Sequence, residues 1–237
     1  MVKRNYIALF VIFILLMTNV SLALQKKPVE SIDSDELTDE TQIFAPCEDD
    51  QFNLVWWIPI EFWDNVFSSD KTISASEREL MLKTLSPYSI IGICQADISD
   101  FGTFDFYEKS EVEKNLDIKY VSKDNKSIEI KPAEKIDPDV NLMLNMMKPV
   151  LTAAMGNMGE NFHFYVISEK SERNERQINP YEAGFLQFTL GCRDRTFLKA
   201  TLEFPLNSLY VPRKCPNGKY AHVSWKYCPW TGEKLPD

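Results

Sequence analysis

The longest amphipathic stretch of the chain, residues 137–159, predicts a single long α-helix. Its apolar side chains recur at steps of three and four residues, which places them on one helical face; they are Val140, Leu144, Met147, Leu151, Ala154 and Met158. Asp137 is a suitable N-cap, Pro138 suits the first helical position, and Gly156 offers a place to end. Lys148 is the only charged residue from Val140 to the end of this stretch. We therefore expect most of the helix to be covered by other parts of the protein.

Several other segments have the residue pattern of β-strands. Residues 88–96 are continuously apolar, which is typical of a central strand. Residues 162–167 follow the helix, and apolar residues alternate with polar ones in 186–190 and 198–204. The last three segments predict an antiparallel meander with one face in water and the other covered by the helix. The predicted fold class is therefore α+β, with an antiparallel sheet covered by a long Met-rich helix and a small ribbon-like C-terminal tail.

Residues 1–23 have the three parts of an export signal. Lys3 and Arg4 supply the positive start, and residues 7–17 form an unbroken apolar run of eleven. Ser21 and Ala23 place small residues just before a cleavage point. We expect cleavage and a periplasmic or extracellular protein. The alternative is an uncleaved N-terminal membrane anchor, because residues 6–24 nearly reach the ~20 apolar residues that span a bilayer.

The chain carries a net charge of −9, which becomes −11 once the signal with Lys3 and Arg4 is removed. Nucleic acids and anionic membrane surfaces attract positive charge, so we expect neither as a partner of the mature chain. Residues 24–50 hold nine acidic side chains and few large apolar ones. This composition predicts a disordered acidic tether, because too little surface can be buried to offset the ordering entropy. The α+β domain is then expected at 51–212 and the tail at 213–237.

The sequence holds no familiar catalytic motif and only two histidines, His163 and His222. Since neither a Gly-x-Ser-x-Gly, a His-Glu-x-x-His, a P-loop nor a dinucleotide fingerprint occurs, no catalytic or cofactor-binding residue is assigned. Asp97, Asp100 and Asp105 could form an acid–base or cation site near His163. Their spacing matches no calcium loop and suits an ordinary turn. The sequence therefore favours a non-enzymatic protein, with a carboxylate-based enzyme as the alternative.

The methionines of the predicted helix allow another function. Thioether sulfurs bind Cu(I), and five methionines lie close together before His163: Met143, Met146, Met147, Met155 and Met158. A periplasmic copper-binding protein is therefore a second alternative. The position of Met147 and Met158 on the apolar face favours core packing instead, so no metal or other cofactor is assigned.

Two segments of the tail, KCPNGK at 214–219 and WKYCPWTGEKL at 225–235, resemble the knuckles of a zinc ribbon. That family repeats Cys-Pro-x-Cys-Gly, and each knuckle here keeps the first cysteine but lacks the second. Four zinc ligands are therefore not present. Because knuckle sulfurs converge in a ribbon, the resemblance implies that Cys215 and Cys228 lie close together and form a disulfide after export. Zinc shared between two chains and free thiols are the alternatives, and the pairing of Cys47, Cys94 and Cys192 stays open.

Three further segments resemble those of uncharacterised exported bacterial proteins: WWIPIEFW at 56–63, MMKPVL at 146–151 and WKYCPW at 225–230. This resemblance implies no activity. We expect an exported cell-envelope protein that acts as a non-enzymatic binding or structural module. Its partner, a protein or a small molecule, and its oligomeric state are not indicated by the sequence.

Overall fold

The computed structural model of the chain describes residues 24–45, 50–170, 175–193 and 196–236. These residues form two compact units, each described separately below. The larger unit runs from Lys27 to Leu209, and the smaller one combines residues 24–26 with residues 210–236. The expected signal at 1–23 lies outside the described residues. Within the described ranges, no helix is both long enough and apolar enough to cross a bilayer.

The first sheet of the larger unit has five antiparallel strands arranged around β3. The strands are β1 (Gln42–Phe44), β2 (Gln51–Ile58), β3 (Tyr88–Ile98), β4 (Phe104–Phe106) and β7 (His163–Ser168). β3 pairs with β2 along one edge and with β7 and β4 along the other. This confirms the predicted central strand, whose continuous apolar run is explained by neighbours on both edges and cover on both faces.

The second sheet of the larger unit has the strand order β6-β5-β8-β9 and is also antiparallel. Its strands are β5 (Asp117–Ser122), β6 (Ser127–Glu129), β8 (Gly184–Gly191) and β9 (Phe197–Phe204). The β8–β9 pair agrees with the predicted alternation. The expected three-strand meander is wrong in one member, because β7 pairs with β3 of the first sheet rather than with β8. That pairing joins two strongly apolar runs, for example at Ile91 and Tyr165, which the alternating pattern of β8 could not offer.

Six α-helices are described: α1 (Ser34–Thr41), α2 (Ile60–Ser69), α3 (Ala75–Leu85), α4 (Lys109–Asn115), α5 (Pro138–Met155) and α6 (Asn157–Glu160). α5 is the helix predicted from the sequence. The Asp137 side chain caps it by accepting the N–H of Asp139 at 2.9 Å. Gly156 ends it with a φ of +59°, a backbone conformation that glycine adopts without strain.

The two faces of the first sheet have different cover within the larger unit. On one face, Trp57 of β2 lies edge-to-face against Phe204 of β9, with ring centroids 5.2 Å apart, so the second sheet packs there. On the other face, Trp56 and Phe162 pack together with Val140 of α5. The predicted α+β class, with an antiparallel sheet covered by the Met-rich helix, is therefore confirmed. The covered sheet is the first one, which contains β7, whereas the sequence pattern predicts that the helix covers a sheet made of β7, β8 and β9.

α5 is less covered than its sequence suggests. Only Val140 and Leu144 are fully buried. Leu142, Met146 and Val150 are 59%, 66% and 67% exposed and lie four residues apart along the outer face. The expectation that most of the helix is covered is wrong, because apolar residues occupy both of its faces and only one of those faces meets the sheet.

The acidic segment expected to be a disordered tether is folded over residues 27–45. Leu37 of α1 is completely buried and Ile32 nearly so, and β1 pairs with β2. Acidic side chains serve as caps: Asp33 accepts the N–H groups that begin α1, and Glu40 accepts the N–H of Ser208 at 2.8 Å. Composition missed this because a few well-placed apolar residues, together with main-chain pairing, are sufficient to order the segment. Residues 46–49 lie outside the described part of the chain.

The smaller unit is built from two short turns. Its strands β10 (Arg213–Lys214) and β11 (Tyr220–Ala221) form one antiparallel pair, and Tyr227 bridges to Lys234 in a second. Four buried residues make its core: Cys215, Ala221, Cys228 and Leu235. The unit begins at Tyr210, close to the boundary expected at residue 213.

Candidate functional site

The outer edge of β7 is only partly paired. On its inner edge the strand pairs with β3, and on the outer edge the C=O of Val166 accepts the N–H of Ala133 at 2.9 Å. Since alternate residues of an antiparallel strand face the same neighbour, the N–H and C=O of Phe164 also point outward. Among the described residues, no group hydrogen-bonds to this outward pair. An open strand edge is a ready template for another extended chain.

A cavity of about 470 Å³ lies beside this open edge. Phe164 and Val166 from one face of β7 line it, and so do Tyr165 and Ile167 from the other. Because both faces contribute, the cavity lies off the edge of the strand rather than on one face. Its remaining walls are mainly apolar and include Ile118, Ile130 and Leu144. We call it the apolar chamber; its volume is in the range of sites that bind small molecules or peptide side chains.

Residues 130–133 form one end of the apolar chamber and connect the two sheets. The N–H of Ile130 donates to the C=O of Ile118 in β5 at 2.8 Å. Three residues later, Ala133 donates to Val166 of β7 at 2.9 Å. The segment is thus hydrogen-bonded to both sheets. The apolar chamber lies between the two strands that the segment connects, β5 and β7.

A second cavity of about 180 Å³ continues along β7 toward Phe162. Phe164, Leu144 and Lys109 line both cavities, and Lys148 adds a second cation to the smaller one. No acidic side chain lines the smaller cavity within the described part of the chain. We call it the basic chamber; its charge contrasts with the net charge of −9 of the whole chain.

His163 projects toward α4 and not toward a catalytic carboxylate. Its Nε2 is 2.9 Å from the C=O of Tyr107, and because a carbonyl only accepts, Nε2 carries the proton in this contact. The hydroxyl of Tyr107 in turn donates to Asp97 at 2.9 Å. Burial, together with Asp97, raises the pKa of Tyr107 to about 12. His163 and Asp97 are therefore connected through Tyr107 and do not contact each other. They do not form the acid–base pair that the sequence allowed.

The aspartates considered as a cation or acid–base site are divided by the structure. Asp97 and Asp105 come together on Arg193, whose Nη1 is 3.2 Å from Asp97 and also hydrogen-bonds to Asp105. The guanidinium lies 4.3 Å from the ring centre of Tyr107. Asp100 is exposed in the turn between β3 and β4. We name this group the Arg193 cluster; a guanidinium already occupies the position between its two aspartates, so the geometry favours neither a cation site nor an acid–base pair.

A buried charge network in the larger unit was not predicted from the sequence. Arg176 binds Glu61 with two hydrogen bonds of 2.5 and 2.9 Å, and its Nε donates to Glu169 at 2.6 Å. Both glutamates are almost fully buried. Burial raises the pKa of Glu169 to about 7 despite the nearby guanidinium. We name this group the Arg176 network; the only sequence signal for it was a glutamate two residues after the apolar strand at 162–167.

The five methionines considered for a copper site lie in α5 and α6. Met143, Met147, Met155 and Met158 pack against the core of the first sheet, whereas Met146 is exposed. The structure therefore favours the core-packing interpretation of these residues over a copper site. Among the described residues, no three histidine, cysteine or acidic side chains are grouped so that they could hold a metal ion.

The structure brings Cys215 and Cys228 together in the smaller unit. Each begins a turn: Gly218 donates to the C=O of Cys215 at 2.8 Å, and Gly232 donates to that of Cys228 at 2.9 Å. Both side chains are free thiols, and they belong to one buried cluster. Their proximity agrees with the expectation, while the disulfide itself stays a prediction.

The remaining cysteines belong to the larger unit or lie outside the described ranges. Cys94 is a buried free thiol in β3, and burial raises its pKa to about 12. Cys192 is disulfide-bonded. Cys47 lies outside the described residues.

Comparisons with known proteins identify no family for this chain. No protein-family model matches it, and no curated protein matches it. One solved structure, a DUF4426 family protein from Pseudomonas aeruginosa PAO1, is similar over 70% of this chain and 97% of its own, with 8% sequence identity and a TM-score of 0.33. A similarity this distant identifies no activity, and none of the comparisons supports the zinc-ribbon resemblance of the tail.

Proposed function

We propose that the protein is an exported binding module that holds an extended peptide segment along the open edge of β7. The observation that carries this proposal is the outward-facing main-chain pair of Phe164 beside the apolar chamber. An added strand would form hydrogen bonds with that pair, and its alternate side chains would enter the chamber. Main-chain bonds then supply affinity, and the shape of the chamber supplies selectivity.

Charge gives the bound segment a direction. The basic chamber lies at the Phe162 end of β7 and is lined by Lys109 and Lys148. A carboxylate is favoured there by Lys148, which lines this chamber and not the apolar one, whereas Lys109 lines both chambers and is ion-paired to Glu113 at 3.6 Å. A segment whose free C-terminus reaches this end runs antiparallel to β7. The proposed ligand is therefore the apolar C-terminal end of a peptide chain.

The proposal is tested first with a peptide probe. The probe is a fluorescent hexapeptide of alternating valine and threonine with a free C-terminal carboxylate, and anisotropy measures its binding. Two further versions carry N-methyl groups on the odd or on the even amides. Strand addition predicts that only one of these two versions loses binding, because only alternate amides face β7. Equal binding of both versions, or no binding of the parent peptide, would contradict the proposal.

A matched pair of variants locates the binding site on the protein. Asn141 is exposed on α5 and lines both chambers, whereas its neighbour Leu142 is exposed and lines neither. Asn141→Trp should place an indole in the two chambers and weaken peptide binding by at least about ten-fold. Leu142→Trp adds the same indole to the same helix and should leave binding unchanged. An equal loss of peptide binding in both variants would show that the peptide does not bind at the two chambers.

Export has support of its own. The N-terminal pattern with Lys3, Arg4 and the apolar run at 7–17 is typical of a signal, and a disulfide at Cys192 suits an oxidising compartment. Cell fractionation followed by N-terminal sequencing tests it, and we expect a mature chain beginning near residue 24. A membrane-bound chain that keeps residues 1–23 would instead support the anchor, and a cytosolic chain would overturn export.

A further inference from the structure

The charge of the chain is divided unevenly between its two units. Residues 27–209 contain 18 basic and 33 acidic side chains, whereas residues 210–237 contain five basic and two acidic ones. The larger unit is therefore strongly negative, and the C-terminal segment that forms most of the smaller unit is positive. The expectation that anionic surfaces are not partners was drawn from the net charge of the whole chain. Such an asymmetry within one chain is typical of a segment that binds an anionic surface or polymer.

The smaller unit buries small side chains and leaves most of its aromatic ones exposed. Its core consists of Cys215, Ala221, Cys228 and Leu235. Four aromatic side chains are between 38% and 62% exposed: Tyr220, Trp225, Tyr227 and Trp230. Large aromatic side chains are usually mostly buried, and exposed apolar surface on a soluble protein often marks an interaction site. The rings are therefore candidates for contact with a partner.

Lysine side chains lie against these rings. The Nζ of Lys219 is 4.8 Å from the ring centre of Trp230, and that ring lies edge-to-face against Trp225 with centroids 5.8 Å apart. We name Lys219, Trp225 and Trp230 the aromatic–lysine group. The same arrangement is repeated on the β10–β11 pair, where the Nζ of Lys214 is 5.3 Å from the ring centre of Tyr220. Positive charge and exposed aromatic surface thus occur together.

Arg213 holds the loop that carries Trp225. Its Nη2 donates to the C=O of Trp225 at 2.6 Å and to that of Val223 at 2.8 Å, and its Nη1 donates to the C=O of Pro236 at 2.9 Å. The guanidinium is therefore used inside the unit and fixes the main chain beside the aromatic–lysine group. The other basic side chains of residues 210–237 are all lysines.

We propose that the aromatic–lysine group docks the protein on the surface of anionic lipid bilayers. Tryptophan and tyrosine favour the interface of a bilayer, because the ring contacts the acyl region while its polar group stays in water. The neighbouring lysines attract the negative headgroups, and their flexible stems can lie along the interface. This docking does not depend on the proposed peptide binding, which uses the two chambers of the larger unit.

A bilayer suits this group better than a nucleic acid does. Bases stack on open aromatic faces, but Lys219 lies over the ring of Trp230, and Lys214 lies over that of Tyr220. Recognition of individual phosphates favours arginine, and Arg213 is bonded to main-chain carbonyls instead. A bilayer requires neither an open ring face nor an arginine fork, since its negative charge is spread over many headgroups.

The first test measures binding of the full mature chain to vesicles by flotation. Vesicles of phosphatidylcholine containing about one third phosphatidylglycerol should carry the chain with them, whereas vesicles of phosphatidylcholine alone should not. Binding should weaken as the salt concentration rises to about 0.5 M, because screening reduces the attraction of the lysines. The anisotropy assay with the hexapeptide is a separate measurement, so failure of one proposal would not be mistaken for failure of the other.

Tryptophan fluorescence identifies the part of the chain that meets the bilayer. Trp56, Trp57 and Trp63 are buried in the larger unit, so quenching by lipids with brominated acyl chains should come from Trp225 and Trp230. Replacing these two residues together by phenylalanine should abolish the quenching. Quenching that persists in this double variant would place another tryptophan at the bilayer and would overturn the proposal.

A matched pair of lysine variants separates local charge from net charge. Lys219→Gln removes the ammonium beside Trp230 and should weaken vesicle binding by about five-fold. Lys126→Gln removes one exposed lysine of the larger unit, changes the net charge equally, and should leave binding unchanged. Three results would overturn the proposal: equal binding to both kinds of vesicle, equal losses in the two lysine variants, or tighter binding to single-stranded DNA or an acidic polysaccharide, compared per negative charge.

Discussion

Two arginines of the larger unit hold clusters of carboxylates, and the clusters differ in what surrounds the acids. The side chains of Arg176 and Arg193 are similarly exposed, at 30% and 33%. The carboxylates bound by Arg176 are 8% and 4% exposed, whereas those bound by Arg193 range from 30% to 75%. The two arginine side chains are therefore similarly exposed, and the burial of their carboxylate partners is what differs.

The comparison indicates that the burial of the acid decides what each arginine contributes. A carboxylate in water keeps its hydration when its partner is lost, so an exposed pair contributes little. A buried carboxylate has no such alternative, and losing its partner leaves an uncompensated charge. The Arg176 network should therefore dominate stability, while the Arg193 cluster should act mainly by arranging the loop between β8 and β9.

Removing Arg176 should have the largest effect. Arg176→Ala leaves Glu61 and Glu169 buried without their cation, and we expect a loss of about 3–5 kcal/mol in the free energy of unfolding. Urea denaturation measures it. Combining Arg176→Met with Glu61→Gln and Glu169→Gln should restore most of the loss, because no buried charge remains. A loss below about 1 kcal/mol for Arg176→Ala would remove the contrast between the two clusters.

The pH dependence of stability should show the second largest effect. The pKa of Glu169 is raised from 4.5 to about 7, so between these values the folded chain holds more protons than the unfolded chain. The contribution is fully present below pH 4.5 and is lost as pH rises to about 7, by up to about 3 kcal/mol.

Glu169→Gln tests this dependence by comparison with wild type. The difference in the free energy of unfolding between the two proteins should move in favour of the variant as pH rises through that window. A difference that is constant with pH would place the Glu169 pKa near its ordinary value.

Removing Arg193 should have a smaller effect. Arg193→Ala leaves Asp97 and Asp105 free to take up water, and it also removes the contact with the Tyr107 ring. We expect a loss of less than about 1 kcal/mol. The loss should shrink further in 0.5 M salt, because screening weakens exposed pairs, whereas the Arg176→Ala loss should persist. A salt-insensitive loss above about 2 kcal/mol would show that the Arg193 cluster is effectively buried.

Replacing Glu111 should have the smallest effect on the free energy of unfolding. Its carboxylate lies 3.5 Å from Nη2 of Arg193 and is 45% exposed. Glu111→Gln should change the free energy of unfolding by no more than about 0.5 kcal/mol in either direction. Thermal denaturation of this variant beside Arg193→Ala measures the difference. A larger loss would mean that Glu111 anchors the guanidinium or holds the start of α4, where it accepts the N–H of Glu108 at 2.9 Å.

The parts of the fold that local chemistry controls were predictable from the sequence. The start and end of α5 follow from Asp137 and Gly156, and β3 follows from its apolar run. The sequence pattern could not predict which part of the protein covers each apolar face. The α5 pattern contains apolar residues on two faces, so it could not tell that Leu142 and Met146 would remain exposed.

The candidate site was less predictable, because its parts meet only through long-range pairing. Phe164 has an open edge because β7 lies at the border of its sheet, which no local pattern reports. Arg176 and Glu61 are 115 residues apart in the chain. The proximity of Cys215 and Cys228 was accessible through a resemblance, since both begin turns of similar sequence.

The short segment at 130–133 has a consequence for the apolar chamber. It is bonded to β5 at Ile130 and to β7 at Ala133, so the walls of the apolar chamber cannot approach each other without breaking main-chain hydrogen bonds to two sheets. The chamber is thereby preorganised, and a peptide that binds there loses little affinity to a conformational change of the protein. Selectivity should then come from the fixed width of the apolar chamber, which admits only peptide side chains of a matching size.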